Sequence, residues 1–390
     1  HPDYKIEYTN SFLGKYEASI AAIAKTDAKK EFVYQEASRY PLLYYIPASW
    51  IYKYLYNQDI FTRVFTIRIW SLLLFILNVF VIYKLGELLF PKDKFIALTL
   101  AILVGFQPMM VFSSIGVSSD SLANLLFSSF LYLCLRLILS GIKIKDFTLL
   151  LITSLAVLNT KIQFIIILPA LLFLFLFLLV RDFKNQQRMY LAGMFFIGSF
   201  LTILYLYISR FGPLIFTLES IAKFNLGSFI KFTWEYTLPH TYKEVLPWYW
   251  GVYDWLGVTY PRIVYRIING ITLIGIIGFS IWIISILRRR LWRDKSIQGI
   301  FFILGISLFY FLSISVYDWL SWYKSGFQLG VQGRYFFPLI SVQMSLILIG
   351  YKQLLPDIWK LRNRSFMILC ILMLVLNIFG LYTIAKIYFD

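Results

Sequence analysis

Long apolar stretches separated by short polar loops are the feature that most constrains how this chain folds. Most approach the roughly 20 residues that an α-helix needs to cross the hydrocarbon core of a bilayer. Hydrophobic residues make up 59% of the chain and charged residues 15%, whereas about 25% of a soluble domain is charged. The pattern predicts an all-α fold, a polytopic transmembrane helical bundle of about ten spans. The stretches lie near residues 66–90, 95–112, 119–138, 147–160, 163–180, 190–210, 263–287, 297–317, 336–351 and 365–388.

The cations are concentrated in alternate loops, which predicts the orientation of the bundle. A net charge of +17 would suggest a nucleic-acid partner in a soluble protein, but here the loops explain the charge and we expect no nucleic-acid partner. The positive-inside rule assigns the cation-rich loops to the cytoplasm. Both ends of this chain then lie outside, and a chain that starts outside predicts one further span upstream, so that the complete protein would have eleven or more. The cation-rich set holds Lys92, Lys94, Lys143, Lys145, Arg181, Lys184, Arg188, Arg288, Arg289, Arg290, Arg293, Lys295, Lys352, Lys360, Arg362 and Arg364, against Lys161, Lys324, Arg334 and Lys386 in the opposite short loops and the C-terminal tip.

The same pattern divides the chain into four regions. Residues 1–65 form a first outer loop with short amphipathic helices, 66–210 hold spans one to six, 211–262 form an outer loop, and 263–390 hold spans seven to ten. The 211–262 loop contains 14 aromatic residues, among them Trp250. Aromatic rings favour the headgroup level of a membrane. Two interpretations therefore remain open for this loop, an interfacial girdle and the lining of a substrate pocket.

Two acidic residues at predicted span mouths are candidates for chemistry, because ionisable groups near a membrane are costly to bury. Asp3 would lie at the outer mouth of the upstream span, where a carboxylate can act as a general base or hold a metal; the alternative is a solvated loop acid. Asp120 follows a serine-rich turn and opens a span. It is either a helix cap or a catalytic residue at a helix N-terminus that favours bound phosphate.

Two cations at outer span mouths are candidates for anion binding. Lys161 lies in the tight turn between two spans, where it either binds a lipid phosphate or extends to the headgroups. Arg334 lies in the sequence Gln332-Gly333-Arg334-Tyr335. Its forked guanidinium suits phosphate, and the glycine before it allows close backbone approach to a ligand.

Several function classes receive no support from the sequence. With only two histidines, His1 and His240, a multi-histidine metal site is excluded, and Cys134 and Cys370 fall inside apolar stretches as buried thiols. The chain has neither a Walker motif nor the Gly-x-Ser-x-Gly motif of serine hydrolases. An internal repeat and midplane polar residues, which a transporter would favour, are also not evident.

Taken in order, these motifs resemble the GT-C superfamily of polyprenyl-phosphate-sugar-dependent glycosyltransferases. The nearest resemblance is to membrane proteins of the DUF2142 type, relatives of the protein O-mannosyltransferases, and it covers essentially the whole chain. The similar segments are His1-Pro2-Asp3, Tyr40-Pro41-Leu42-Leu43-Tyr44-Tyr45, Asp120-Ser121-Leu122-Ala123, Thr160-Lys161, and Gln332-Gly333-Arg334-Tyr335 with Phe337-Pro338. Two positions depart from the family pattern: its histidine is Tyr40 here, and its Asp-Glu pair is Asp3-Tyr4, with Glu7 the nearest substitute.

The resemblance implies sugar transfer from a polyprenyl-phosphate donor on the non-cytoplasmic side of the cell membrane, with inversion at the anomeric carbon. Asp3 would be the base, and Asp120 would assist it, with a divalent cation such as magnesium or manganese held by these two residues as a further expectation. The acceptor is a protein, a lipid or a growing glycan. The alternatives are a transporter or flippase of a lipid-linked glycan and a non-catalytic scaffold protein. The implied ligands of the lipid phosphate are Lys161, Arg334 and Arg39, and the implied pocket residues are Glu7, Tyr40, Gln332, Tyr335 and Trp250.

Overall fold

The computed structural model describes residues 41–161, 164, 166–182, 225–253, 257–355 and 359–389, with isolated positions at 15, 18, 193, 197 and 198. The first half is a series of helices that reverse direction at short loops. Helix α1 lies before the first long helix, and α3 and α4 meet at a 62° bend. The bounds are α1 (Tyr45–Tyr54), α2 (Ile60–Leu89), α3 (Lys94–Gly105), α4 (Pro108–Ser114), α5 (Asp120–Ser140), α6 (Ile144–Leu158) and α7 (Ile167–Asp182).

The described part of the aromatic loop is a helical stretch from Leu226 to Trp250, followed by a small antiparallel hairpin. It consists of three α-helical pieces joined by two π-helical turns. Pro239 and Pro247 each follow a π turn, and a proline inside a helix lacks the N–H for the regular hydrogen bond, which locally widens the helix. The pieces are α8 (Leu226–Phe232), a π turn (Thr233–Thr237), α9 (Leu238–His240), a π turn (Thr241–Val245), α10 (Leu246–Trp250), β1 (Val252–Tyr253) and β2 (Val258–Thr259).

The C-terminal part consists of long helices. Helices α11 and α13 cross so closely that a Cβ on Gly350 would overlap the carbonyl oxygen of Gly275. The bounds are α11 (Arg262–Arg288), a 3₁₀ turn (Leu291–Arg293), α12 (Lys295–Ser325), a 3₁₀ segment (Gly333–Leu339), α13 (Ile340–Leu354) and α14 (Trp359–Phe389).

Among the described residues, fewer helices qualify as membrane spans than the sequence predicts for the whole chain. Among the described residues, six helices are long and apolar enough to cross a membrane, or seven if the bent pair α3 and α4 counts as one span. The expected count of about ten is therefore not supported. Helices α6 and α7 are 15 and 16 residues long, which at 1.5 Å per residue gives about 24 Å at most, short of a core of about 30 Å. The 190–210 stretch lies outside the described residues, apart from isolated positions. The chain is nevertheless a multi-pass membrane protein.

The bundle has two chemically different ends. At one end, Arg362 in the first turn of α14 donates a hydrogen bond to Asp93 of the α2–α3 loop at 3.1 Å, which joins two of the cation-rich regions. At the other end lie the start of α2, the start of α5 and the 3₁₀ segment. Arg68 of α2 donates to the carbonyl of Ile115, just before α5, at 3.1 Å. We call this second end the site end.

Candidate functional site

An ion pair between Asp120 and Lys161 is the centre of the site end. Because α5 and α6 pack side by side in opposite directions, the first residue of α5 meets the turn that follows α6. The Lys161 ammonium contacts a carboxylate oxygen of Asp120, with both side chains about one-sixth exposed, at 16% and 17%. Lys161 is thus paired with a carboxylate.

Asp120 does not act as the cap of its helix. The N-cap position of α5 is Ser119, which makes no side-chain capping hydrogen bond. The backbone N–H of Asp120 donates to the hydroxyl of Ser118 at 3.1 Å. The carboxylate of Asp120 is therefore directed to Lys161.

Arg334 adds a second cation close to the same carboxylate. It lies in the 3₁₀ segment before α13, is exposed, and interacts electrostatically with Asp120. The site end therefore brings together Asp120, Lys161 and Arg334, three of the residues that the sequence singles out. Two cations around one carboxylate leave a net positive charge at this point.

Arg334 is positioned by a contact between two backbones. A Cβ on Gly333 would overlap the backbone nitrogen of Tyr249, so only glycine fits here without displacing α10. On the other side, the hydroxyl of Tyr310 donates to the carbonyl of Tyr335 at 2.7 Å. Tyr310 is buried and also interacts with the charge of Asp120, so it connects the 3₁₀ segment to the ion pair.

The loop that leads to Gly333 is held at two backbone atoms. The ring of His240 donates from Nε2 to the carbonyl of Val331 at 2.9 Å, and its Nδ1 lies 3.3 Å from a carboxylate oxygen of Glu244. Two residues earlier in the loop, the N–H of Leu329 donates to Asp318 at 2.8 Å. These contacts anchor the approach to Arg334 from α9 and from α12.

A buried glutamine connects the bend between α3 and α4 to the aromatic loop. The side chain of Gln107 is fully buried; it donates to the carbonyl of Tyr249 and accepts from the N–H of Met110. The hydroxyl of Tyr249 donates to Gln343 of α13 at 2.6 Å. Burial raises the pKa of Tyr249 far above its usual value, so this hydroxyl stays protonated and remains a donor.

An apolar cavity of about 380 Å³ lies beside the 3₁₀ segment, between α10, the middle of α11 and α12, and the first half of α13. A second apolar cavity of about 310 Å³ lies between α11, α13 and α14. Trp250, which the sequence assigns to a pocket, is buried and lines both cavities. Gln332 and Tyr335 are half-buried next to Arg334.

The remaining sequence candidates, Asp3, Glu7, Arg39 and Tyr40, lie outside the described residues. The end of the first loop does reach the site end, because the hydroxyl of Tyr44 and that of Ser71 lie 2.7 Å apart and Tyr44 also contacts the backbone of Ser118. Burial raises the pKa of Tyr44.

A metal site finds little support among the described side chains. Within that part of the chain, no three His, Cys, Asp or Glu side chains converge in a way that could hold a metal ion. Asp120, the one described member of the expected pair, has Lys161 as its partner. The described residues therefore do not fit a divalent cation.

Sequence reasoning missed three residues that organise the site: Gln107, His240 and Tyr310. Gln107 carried a recognisable signal, because it precedes Pro108 and caps α4 with proline at the first helical position, a typical helix start. His240 and Tyr310 carried none, since their partners are backbone carbonyls distant in sequence.

Comparison with known proteins gives one match. The family model described as "Predicted membrane protein (DUF2142)" matches residues 9–342. No curated protein matches the chain, and no solved structure matches it. The family match extends over most of the chain and includes Asp120, Lys161 and Arg334, and so this protein belongs to the DUF2142 family of predicted membrane proteins.

Proposed function

We propose that this protein is a membrane glycosyltransferase, which transfers a sugar from a polyprenyl-phosphate donor to an acceptor hydroxyl on the non-cytoplasmic side of the cell membrane. The observation that supports this proposal best is the convergence of Lys161, Asp120 and Arg334 beside an apolar cavity. A lipid-phosphate donor requires both parts of this arrangement, cations for its phosphate and an apolar space for its chain.

The two cations would stabilise the leaving group. As the acceptor oxygen bonds to the anomeric carbon, the bond between that carbon and the phosphate oxygen breaks, and the polyprenyl phosphate gains negative charge. Fixed cations at the developing charge are among the largest contributions to catalysis. Lys161 has three N–H donors, so its contact with Asp120 leaves donors for phosphate oxygens, and the fork of Arg334 suits the same group.

Asp120 would keep the cation in place before the donor binds. A lysine side chain has four rotatable bonds and loses conformational entropy when it is fixed. Because the contact with Asp120 already restricts the Lys161 side chain in the free protein, less conformational entropy is lost when the donor binds. The proton of the acceptor hydroxyl would pass to a carboxylate, for which Asp3 remains the candidate from the sequence.

The cavity of about 380 Å³ would receive the first part of the lipid chain. Its volume lies within the usual range for ligand pockets. Phe336 lines it two residues after Arg334, and Phe311 and Leu304 of α12 extend it along the bundle. A chain that enters there has its phosphate near the cations of the site end.

The deciding experiment is transfer of a labelled sugar from a panel of polyprenyl-phosphate sugars by the purified full-length protein in liposomes. Lys161→Met and Arg334→Gln should each lower kcat/KM by about 10²-fold or more, the usual effect of removing one stabilising group from a developing anion. Lys324→Gln is the matched control, because Lys324 is an exposed cation in the last turn of α12. This variant should leave the rate of transfer unchanged.

Two results would count against the proposal. If every donor in the panel fails while the protein moves labelled lipid across the liposome bilayer, the flippase alternative holds instead. If transfer occurs with equal rates in Lys161→Met, Arg334→Gln and wild type, the enzyme assignment stands but the phosphate site lies elsewhere.

A further inference from the structure

The start of α2 carries an arginine that is buried without a carboxylate partner. Arg63 is only 4% exposed. Its Nη1 donates to the hydroxyl of Tyr52 at 2.8 Å, and its guanidinium lies 4.8 Å and 5.4 Å from the ring centroids of Tyr52 and Tyr56. Its Nε is buried and has no acceptor among the described residues. A buried charge without a counter-charge is costly, which indicates that an anion completes this site.

The nearest acid on the same helix does not serve as that anion. Asp59 caps α2: one carboxylate oxygen accepts from the N–H of Thr62 at 3.0 Å and the other from the Thr62 hydroxyl at 2.6 Å. These bonds lower the pKa of Asp59, so it is ionised but already satisfied. Within the described part of the chain, no carboxylate forms an ion pair with Arg63.

The groups around Arg63 are donors. The hydroxyl of Tyr52 accepts from Arg63, which leaves its own proton free to donate. Trp70 lies seven residues after Arg63, on the same face of α2 and about 10 Å along it. Its indole N–H is buried and has no acceptor among the described residues. A cation with the Tyr52 hydroxyl beside it and the Trp70 indole N–H further along the same helix face suits a ligand with several acceptor oxygens, which is the chemistry of a phosphate group.

The surroundings indicate that this phosphate belongs to a lipid. Large apolar and aromatic side chains next to the site are exposed, including Trp50 and Tyr54 of α1 and Phe65 of α2. Tryptophan and tyrosine concentrate at the headgroup level of membranes. Arg63 lies in the first turn of a 30-residue membrane-spanning helix, at the depth where lipid phosphates are found.

We propose that Arg63, Tyr52 and Trp70 form a binding site for the phosphate of an anionic phospholipid in the leaflet next to the site end. The ring of Tyr56, which is half exposed and lies in the loop between α1 and α2, covers the guanidinium and must turn aside to admit the headgroup. The site is independent of the proposed sugar transfer, because it involves neither Lys161 nor Arg334.

The test is native mass spectrometry of the full-length protein with phosphatidylglycerol, with phosphatidylcholine and with inorganic phosphate as separate probes. Arg63→Gln should weaken phosphatidylglycerol binding about tenfold or more, since a charge-assisted hydrogen bond is lost. Arg68→Gln is the matched control: it removes an exposed arginine five residues further along the same helix, and binding should change less than about twofold.

Tyr52→Phe keeps the aromatic ring and removes the donor, so it tests the site even if Arg63→Gln does not fold. It should weaken phosphatidylglycerol binding severalfold, and the loss of the hydrogen bond from Arg63 should lower the melting temperature without unfolding the protein. Equal phosphatidylglycerol affinity in wild type, Arg63→Gln and Tyr52→Phe would overturn the proposal. Binding of inorganic phosphate as tight as that of the lipid, with the same dependence on Arg63, would overturn the assignment to a lipid. Equal loss of affinity in Arg68→Gln would show that only net charge matters, which also contradicts the site.

Discussion

The Asp120–Lys161 ion pair should contribute an interaction energy that can be measured in a double-mutant cycle. Both side chains are about five-sixths buried, at 17% and 16% exposure, so removing one partner leaves a largely buried charge. Breaking a buried pair in this way costs about 3–5 kcal/mol. Partial exposure places the expected cost at the lower end of this range.

The two single variants should differ because of Arg334. Asp120→Asn leaves Lys161 unpaired and next to a second cation, so we expect a loss of about 3 kcal/mol in the free energy of unfolding. Lys161→Met leaves Asp120 with Arg334 still nearby, and the loss should be about 2 kcal/mol. The double variant carries no unpaired charge from the pair, and its free energy of unfolding should also fall by about 2 kcal/mol. The two single losses together exceed this loss by about 3 kcal/mol, which is the expected coupling energy.

Denaturant unfolding in mixed micelles, followed by tryptophan fluorescence, measures these differences. The control cycle is Lys84 and Glu87, an ion pair of α2 with the lysine 41% exposed, which should couple much more weakly because water screens exposed charges. A coupling energy for Asp120 and Lys161 below about 0.5 kcal/mol, the usual limit of additivity, would refute the reasoning. Equal losses in the two single variants would show that Arg334 does not act on Asp120.

Three further predictions concern the packing around the site. Gly350→Ala forces a Cβ into the carbonyl of Gly275 and should lower stability by about 1–3 kcal/mol, measured by the same unfolding assay. Gly333→Ala pushes α10 away through the backbone of Tyr249; it should speed hydrogen exchange in residues 246–250, and unchanged exchange would contradict the contact. His240→Ala removes the donor to the carbonyl of Val331, so hydrogen exchange in residues 326–332 should rise while the protection of α13 stays as in wild type.

Hydropathy alone placed most of the described helices correctly, but those helices do not support its count of about ten spans. The stretches at 147–160 and 163–180 contain α6 (Ile144–Leu158) and α7 (Ile167–Asp182), which are too short to qualify as spans. Apolar composition cannot distinguish a short helix buried among others from one that crosses a bilayer. The bend after Gly105 is a related case: a sequence window counts one apolar stretch, whereas Gln107 and Pro108 break it into two helices at 62°.

The sequence could predict which charged residues form the site end, because a charge near lipid is costly to bury. Asp120, Lys161 and Arg334 stand out in a chain with few charges at this end, and burying a charge near lipid requires a partner or a function. The partner of each was not foreseeable. The contact of Lys161 with Asp120 depends on the packing of α5 against α6, and the support of Arg334 depends on backbone atoms of Tyr249 and Tyr335, which no residue type encodes.

The way the site is held bears on how it would work. Arg334 lies in a segment fixed at Gly333 by α10 and at Tyr335 by Tyr310, whereas Lys161 is held by one carboxylate. A phosphate that arrives at the site therefore meets an exposed arginine whose backbone is fixed and a lysine that is already paired with Asp120. Because Arg334 can bind the phosphate without breaking an ion pair, Arg334 should dominate affinity for an anionic donor. Lys161, released in part from Asp120 as charge develops on the phosphate, should dominate the rate.

Arg334→Gln would then mainly raise KM, and Lys161→Met would mainly lower kcat. The opposite assignment in steady-state kinetics would show that the ion pair, and not the backbone support, presets the site.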